Sequence, residues 1–149
     1  MIMERTFVML KPGILQRRLV GELIQRFEQK GLKIIALKIM HIDKSMAEIH
    51  YAEHRGKGFY EELAAYIVSG PVIAMILEAQ EAISLVRRLI GSTNIHDALP
   101  GTIRGDFAAQ TTLNIVHASD SKVSAEREMA LFFKPEEIYD WEDGNAQWF

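Results

Sequence analysis

Residues 6–13 read Thr-Phe-Val-Met-Leu-Lys-Pro-Gly. The first five are apolar or β-branched, and Lys11-Pro12-Gly13 then breaks the pattern, which is typical of a buried strand that ends in a turn. Apolar residues recur at helical spacing over 19–30 before Gly31, which stands where a helix cap is expected. The isoleucine-rich stretch 33–42 has the composition of a strand. The opening third of the chain is therefore predicted to be a strand–helix–strand unit.

The alternation of strands and helices continues along the chain. Ser45-Met46-Ala47-Glu48 has the sequence of a capping box, so we expect a helix to begin there and to run to about Gly56. The pattern then predicts, in chain order, a helix over 59–68, a strand over 72–77, a helix over 80–90, a strand over 112–116 and a helix over 122–133. This order predicts a single α+β domain over 1–149 with the ferredoxin-like plan, a four-stranded, mostly antiparallel sheet with helices on one face.

Composition excludes several classes of protein. The chain has 149 residues, of which 48% are hydrophobic and 25% are charged, as in ordinary soluble domains. The absence of cysteine rules out disulfides, thiolate metal sites and cysteine nucleophiles. A formal net charge of -3 without a basic run argues against a nucleic-acid-binding surface. Neither a signal pattern nor a membrane-length apolar run is present, so we expect a cytoplasmic protein without a membrane partner.

The segment 114–121, Asn-Ile-Val-His-Ala-Ser-Asp-Ser, is the richest in chemistry. His117 ends the predicted strand, and Ser119-Asp120-Ser121 supplies N-cap residues for the next helix, whose positive end favours phosphate. A neutral histidine attacks phosphorus through one ring nitrogen when a neighbour holds the other, and Glu128 is a candidate neighbour. The alternative is a strand-end histidine that only fills a hydrogen-bonding role.

Two cations are candidates for binding phosphate. Residues 91–106 form a long stretch without a clear period, which predicts a functional loop, and Arg104 within it can fork onto phosphate oxygens. Lys11 can reach the same phosphates from the end of the first strand. The alternative for Arg104 is an arginine in a surface loop without a binding role, and the alternative for Lys11 is a solvated strand end. Because the chain lacks a P-loop and a Gly-x-Gly-x-x-Gly motif, a phosphate site has to be built from side chains.

A protein metal site is not predicted. His50 and His54 are four residues apart on a predicted helix, a spacing that can bind zinc, but no glutamate follows the first histidine as in the HExxH motif. A solvated or partly packed helix face is the preferred interpretation of the pair.

Taken together, these segments closely resemble the nucleoside diphosphate kinase family. The most specific part is Asn114-x-x-His117-x-Ser119-Asp120, and the motifs at 100–107 (Pro-Gly-Thr-Ile-Arg-Gly-Asp-Phe) and 124–128 (Ser-Ala-Glu-Arg-Glu) accompany it. The resemblance extends almost from end to end. It implies an enzyme that moves the terminal phosphate of a nucleoside triphosphate to a nucleoside diphosphate through a phosphorylated His117. The alternative is a catalytically silent nucleotide-binding regulatory module.

The resemblance also implies roles for other residues. His117 would attack through its δ nitrogen, while Glu128 holds the other nitrogen directly or through the neighbourhood of Ser119 and Glu53. Phe59 would stack on the base with Leu63 beside it, which explains tolerance for any base. The positions that match family contacts to the phosphates, the ribose hydroxyl or the histidine are Lys11, Tyr51, Arg87, Thr93, Arg104 and Asn114. Mg²⁺ would bind through the nucleotide phosphates, and a homo-oligomer, hexamer or tetramer, is expected.

Four positions depart from the family pattern. Gly13 stands in a turn that usually reads Lys-Pro-Asp-Gly, so we expect a local backbone change with activity retained. Ala118 replaces a glycine, which requires that this position not need a positive φ. Ile95 replaces a proline in a loop that the family uses for subunit contacts, so it bears on oligomer stability. Leu113 replaces an arginine, and the sequence assigns no consequence to this change.

Overall fold

The computed structural model describes residues 2–149. Its strands are β1 (Glu4–Leu10), β2 (Lys33–Met40), β3 (Val72–Ala79) and β4 (Val116–Ala118). Its α-helices are α1 (Val20–Gln29), α2 (Lys44–His50), α3 (Tyr60–Ile67), α4 (Ala82–Ile90), α5 (Ile103–Phe107) and α6 (Lys122–Phe132). Short 3₁₀-helices lie at Ala52–His54, Pro135–Glu137 and Ala146–Trp148.

Across residues 2–149 the strands form one four-stranded sheet in the order β2-β3-β1-β4. Each neighbouring pair is antiparallel, so β1 and β2 run in the same direction with β3 between them. This is the split βαβ arrangement of a ferredoxin-like sheet. The predicted α+β fold class is confirmed.

The prediction that helices cover only one face of the sheet is wrong. The consecutive residues 7–10 of β1 are all fully buried, and every residue of β3 is buried, which requires cover on both faces. One apolar core packs β1 and β3 against α1 and α4. The other packs the opposite face against α2, α3 and α6. Of the residues predicted to carry chemistry, Lys11 follows β1, Asn114 precedes β4 and His117 lies within β4.

Local capping explains where several helices begin and end. The side chain of Asp43, not Ser45, caps α2, because its Oδ1 accepts from the Met46 amide at 2.8 Å. Gly31 follows α1 with a φ of +88°, as predicted for a glycine at a helix end. The predicted cap of α6 is confirmed at Ser121, whose hydroxyl accepts from the Ser124 amide at 3.1 Å.

Two differences from the predicted elements matter for the site. The fourth strand begins at Val116 rather than at residue 112, because Ile115 adopts a φ of +64° and the Val116 amide donates back to the Asn114 carbonyl at 2.8 Å. This tight turn separates the preceding segment from the sheet. Residues 91–106 are also not loop throughout, since Thr102 caps α5 by accepting from the Gly105 amide at 3.0 Å.

Candidate active site

His117 lies in the middle of β4, not at the end of a strand, and pairs with Met9 of β1. Its Nε2 lies 2.5 Å from Oε2 of Glu128, which projects from α6. The histidine side chain is 23% exposed and the carboxylate only 3%, so Glu128 lies beneath the ring. Glu128 therefore contacts His117 directly and through Nε2. The other ring nitrogen, Nδ1, does not contact Glu128 in this way.

The carboxylate of Glu128 is held at both oxygens. Ser119 Oγ donates to Oε1 at 2.6 Å, while Oε2 faces the histidine. The Ser119 hydroxyl is itself buried and accepts from the Phe7 amide of β1 at 3.3 Å. Sheet, carboxylate and imidazole are thus linked by hydrogen bonds, which fixes the ring and its tautomer. Glu53, considered above as an intermediary, is exposed on the 3₁₀-helix after α2.

A cavity of about 540 Å³ opens in front of His117. Its size is typical of small-molecule sites. Among the predicted site residues, Ser119 lies beneath the cavity and the others line it: Lys11, Tyr51, Phe59, Leu63, Arg87, Thr93, Arg104, Asn114, His117 and Glu128. The prediction did not include several other lining residues: His54, Glu62, Thr111, Thr112, Ala118, Asp120, Ser124 and Arg127.

Arg104 is buried, being only 3% exposed, so it is not a surface-loop arginine. It projects from α5, and its guanidinium donates to three backbone carbonyls. These are the carbonyls of Asn114 at 3.3 Å, Gly91 at 3.0 Å and Val116 at 2.6 Å. Because a guanidinium carries five N–H donors, two remain for a ligand. The side chain is therefore a fixed cation and not a mobile one.

Lys11 is also buried, at 5% exposure, so the alternative of a solvated strand end is wrong. Its Nζ donates to Asn114 Oδ1 at 2.8 Å, and it lies 5.6 Å from the centre of the Tyr66 ring. Burial, and then the charge of Arg104, lower the pKa of Lys11 to about 7. An anion bound beside Lys11 would favour its charged form.

Phe59 and Leu63 contribute apolar surface to the cavity, away from the buried cations. Phe59 stands at the start of α3 and is 45% exposed, and Leu63 lies one turn further along the same helix.

Arg87, near the end of α4, donates to the Ala118 carbonyl at 3.2 Å. Thr93 is exposed just beyond that helix.

Two residues beside His117 were not predicted as part of the site. The ring of His50 is buried beneath that of His117, with the two ring centroids 4.6 Å apart, so the solvated-face interpretation is wrong for His50. Burial, and then the charge of His117, lower the pKa of His50 to about 2. The spacing of three residues places His50 and Ala47 on one face of α2, but the sequence did not show that this face is buried. Ile115 was missed because its strained φ leaves no mark in the sequence.

Tyr51 follows His50 at the end of α2 and is buried beside it, with ring centroids 4.6 Å apart. Burial, and then the nearby Tyr66, raise the pKa of the Tyr51 hydroxyl, which therefore stays protonated at neutral pH. Its hydroxyl has no hydrogen-bond partner within the part of the chain that the structure describes. Tyr51 is also one of the residues that line the cavity.

Comparison with known proteins places this geometry in a family. The family model described as nucleoside diphosphate kinase matches residues 4–138. The chain belongs to the nucleoside diphosphate kinase family. Enzymes of this family are phosphotransferases, and this chain accordingly transfers phosphate between nucleotides.

Individual relatives are similar over their full lengths. The nucleoside diphosphate kinase of Treponema pallidum subsp. pallidum is 59% identical over 149 residues, covering 100% of both chains. That of Archaeoglobus fulgidus is 58% identical over 146 residues, covering 98% of this chain and 97% of the relative. The solved structure of a halophilic nucleoside diphosphate kinase from Halobacterium salinarum in complex with CDP has a TM-score of 0.95 at 47% identity, covering 97% of each chain.

The departures from the family pattern fit the backbone. Gly13 has a φ of +99°, so the displaced glycine serves the turn after β1. Ala118 lies in β4 opposite Val8, and an extended backbone accepts an alanine. Ile95 is half-buried and donates its amide to Thr111 Oγ1 at 3.3 Å, whereas Leu113 is 41% exposed.

Over residues 2–149, the structure contains no helix with the length and apolarity needed to cross a membrane.

Proposed function

We propose that this nucleoside diphosphate kinase works in two steps through a phosphohistidine at Nδ1 of His117. The observation that carries the proposal is the 2.5 Å contact between His117 Nε2 and Glu128. With the proton held on Nε2, the lone pair of Nδ1 is available to attack phosphorus. Glu128 would stabilise the positive charge that develops on the ring.

In the first step, the Nδ1 lone pair forms a bond to the γ-phosphorus of a nucleoside triphosphate. The bond from that phosphorus to the β,γ-bridging oxygen breaks, and the diphosphate leaves with the electron pair. In the second step, a terminal oxygen of another nucleoside diphosphate attacks the phosphohistidine, and Nδ1 regains its lone pair. Each half-reaction is the reverse of the other in kind, so one set of residues serves both.

Three cations support phosphate binding at this place. Arg104 and Lys11 line the cavity from buried positions, and Arg87 lines it from α4. Phosphoryl transfer spreads negative charge over the equatorial oxygens, and fixed positive groups stabilise it without reorganisation. Asn114 would orient Lys11, and Tyr51 and Thr93 offer hydroxyls to the phosphates or the ribose. These are proposed roles for residues that share one cavity.

Mg²⁺ is proposed to enter with the nucleotide and to neutralise part of the phosphate charge. Within the described chain, the one cluster of three potential metal ligands is His50, His117 and Glu128, with a single carboxylate. Mg²⁺ prefers oxygen ligands and is commonly held by substrate phosphates plus few protein groups. The donor set therefore fits an ion carried by the phosphates better than an ion held in a protein cage.

The base is proposed to stack on Phe59 beside Leu63. A face-to-face contact recognises the π-surface that every base has, so purines and pyrimidines are both accepted. The exposed position of Phe59 leaves room for bases of either size.

We further propose a cytoplasmic homo-oligomer, a tetramer or a hexamer. Strand β2 is an edge of the sheet, and it presents Leu37 at 49% and Ile39 at 65% exposure. An open edge with exposed apolar side chains favours association with another chain. Sedimentation equilibrium measures the number of subunits, and a monomer at all concentrations would contradict the proposal.

The experiment that tests the mechanism uses purified enzyme, Mg²⁺ and ATP labelled in the γ-phosphate, without an acceptor. The protein should retain label in a bond that is labile in acid and stable in alkali, as a phosphoramidate is. Adding an unlabelled nucleoside diphosphate should move the label onto it. Absence of label on folded protein that binds nucleotide would overturn the two-step route.

A further inference from the structure

The side chain of His50 lies beneath His117 and is only 2% exposed. Neither of its ring nitrogens has a hydrogen-bond partner within residues 2–149. Buried polar atoms are almost always paired, so an imidazole with two unpaired nitrogens beside a reactive centre requires an explanation. A hydrogen-bonding role alone does not account for it.

Two other atoms that can bind a metal ion, Glu128 Oε2 and His117 Nε2, lie near the His50 ring. His50 Nδ1 is 3.7 Å from Glu128 Oε2, and His117 Nε2 is 2.5 Å from the same oxygen. Potential ligand atoms of the three residues all lie within 4.8 Å of one another. Two imidazole nitrogens and one carboxylate oxygen form a ligand set that suits Zn²⁺, with a fourth position left open. We propose that His50, His117 and Glu128 form a binding site for Zn²⁺ or a similar transition-metal ion.

Binding an ion would require these side chains to adjust. Ligand atoms around a tetrahedral Zn²⁺ lie roughly 3.3 Å apart, since each is about 2.0 Å from the ion. The His50–Glu128 separation of 3.7 Å is already close to that value. The His117–Glu128 separation has to open from 2.5 Å, and the ligand atoms of the three residues, which all lie within 4.8 Å of one another, have to approach the same value. The ion would take the place of the proton between these two side chains.

The surroundings determine which ions the site accepts. Mg²⁺ prefers oxygen ligands, so two imidazoles discriminate against it in favour of Zn²⁺. Lys11, Arg104 and Arg127 line the same cavity and oppose a doubly charged ion. We therefore expect weaker binding than at structural zinc sites, which have four protein ligands.

Metal binding at Nε2 has a chemical consequence for His117. The neutral imidazole has one proton, and when the ion occupies Nε2 that proton moves through solvent to Nδ1. Nδ1 then has no lone pair to offer to phosphorus, so metal binding and phosphorylation exclude each other. This consequence rests on the proposed function, whereas the metal site itself does not.

The direct test is titration of metal-free, tag-free protein with Co²⁺ in the absence of nucleotide, followed by visible absorption. Tetrahedral Co²⁺ absorbs strongly in the visible, and Zn²⁺ should displace it and abolish the band. We expect one Co²⁺ for each chain. His50→Phe, which keeps a ring but no ligand atoms, should lose the band, as should His50→Gln.

Two other histidines provide matched controls. His54→Ala removes a half-buried histidine four residues along, and His96→Ala removes an exposed one. Both variants should bind Co²⁺ like the wild type. A wild type without the band would overturn the proposal, as would a folded His50→Phe or His50→Gln variant that binds like the wild type. Thermal melts show which variants are folded.

A second measurement follows the labelling of His117 at increasing Zn²⁺ with Mg²⁺ and nucleotide held constant. The labelling rate should fall in proportion to the fraction of enzyme that holds Zn²⁺, and a chelator should restore it. Labelling of His50→Phe should be insensitive to Zn²⁺ relative to its own zinc-free rate. Equal inhibition of both proteins would overturn the inference that metal binding and phosphorylation of His117 exclude each other. Co²⁺ binding without any labelling would instead contradict the phosphohistidine mechanism and leave the metal site standing.

Discussion

The two ends of the cavity are built in different ways. At the end that contains His117, the side chains of Lys11, Arg104 and Glu128 are buried, and each is held by hydrogen bonds to backbone or to another side chain. At the other end, Phe59 is 45% exposed at the start of a short helix. In the proposed function, the charge of the phosphates is stabilised by groups held in place, and the base contacts a surface that discriminates little. The contrast matches a reaction in which only the phosphates are common to all substrates.

The strongest test of this contrast is the nucleophile itself. His117→Ala should abolish covalent labelling by triphosphate, because Nδ1 is the proposed acceptor of the phosphate. The fold should be nearly unchanged, since the histidine lies in a short strand and is partly exposed. Labelling with γ-phosphate-labelled ATP and a thermal melt measure the two effects. Residual label on the folded variant at another side chain would show that His117 is not the acceptor.

Arg104→Lys tests whether the rigid end acts through geometry beyond charge. Lysine keeps the charge but cannot bond the carbonyls of Gly91, Asn114 and Val116 while also forking onto phosphate oxygens. The rate of His117 phosphorylation should fall at least roughly tenfold, about 1.4 kcal/mol, with a smaller loss of affinity. Quench-flow over a range of triphosphate concentrations measures the rate of phosphorylation and the affinity for triphosphate separately.

The matched control for this variant is Arg88→Lys, at an exposed arginine on α4. It should phosphorylate His117 at the wild-type rate. If Arg104→Lys binds more weakly but reacts at the wild-type rate when saturated, Arg104 is a ground-state anchor, and the rigid end serves binding rather than catalysis.

Phe59→Ala tests the other end of the cavity and should have a smaller effect. Base stacking contributes about 1–3 kcal/mol, and the exposure of Phe59 places its contribution near the lower limit. The affinities for purine and pyrimidine diphosphates should fall by a similar factor. Calorimetric titration with ADP, GDP, CDP and UDP gives the four values. A loss confined to one class of base would mean that this end reads the base after all.

The smallest predicted effect concerns the proton on Lys11. Since its pKa is lowered to about 7, the free enzyme loses this charge as the pH rises through that value, and affinity for triphosphate should fall. Bound phosphate favours the charged form, so binding at neutral pH should take up roughly half a proton. Calorimetry in buffers of different ionisation enthalpy measures the uptake. Lys11→Arg, whose charge is permanent, should show less uptake, and equal uptake would exclude Lys11 as its source.

Most strands and helices were predictable because their apolar residues follow a clear period, as in 19–30 and 80–90. The ferredoxin-like plan followed from their order. His117 and Glu128 were candidates on chemical grounds alone, but the assembly of Phe59, Thr93 and Arg87 around one cavity required the family resemblance. Along the chain, Phe59, Arg87 and Thr93 precede His117 by 58, 30 and 24 residues. Periodicity says nothing about contacts at such separations.

The errors have local physical causes. The short helix α5 depends on a single cap at Thr102 and is too short to show a period. The start of β4 is set by the positive φ of Ile115, a conformation that β-branched residues rarely adopt. Cover on both faces of the sheet was missed although 72–77 is uniformly apolar, a pattern typical of a strand buried on both sides. His50 was misjudged because helical spacing alone did not show which face of α2 is buried.

The central position of β1 has a consequence for the order of events during synthesis. The ribosome makes this strand first, yet its neighbours in the sheet are β3 and β4, which begin at residues 72 and 116. The hydrogen bond between Lys11 and Asn114 joins residues 103 positions apart. A nascent chain therefore exposes this apolar strand until β3 has emerged, and such segments are prone to aggregate. The contact between His117 and Glu128 forms only when α6 has left the exit tunnel.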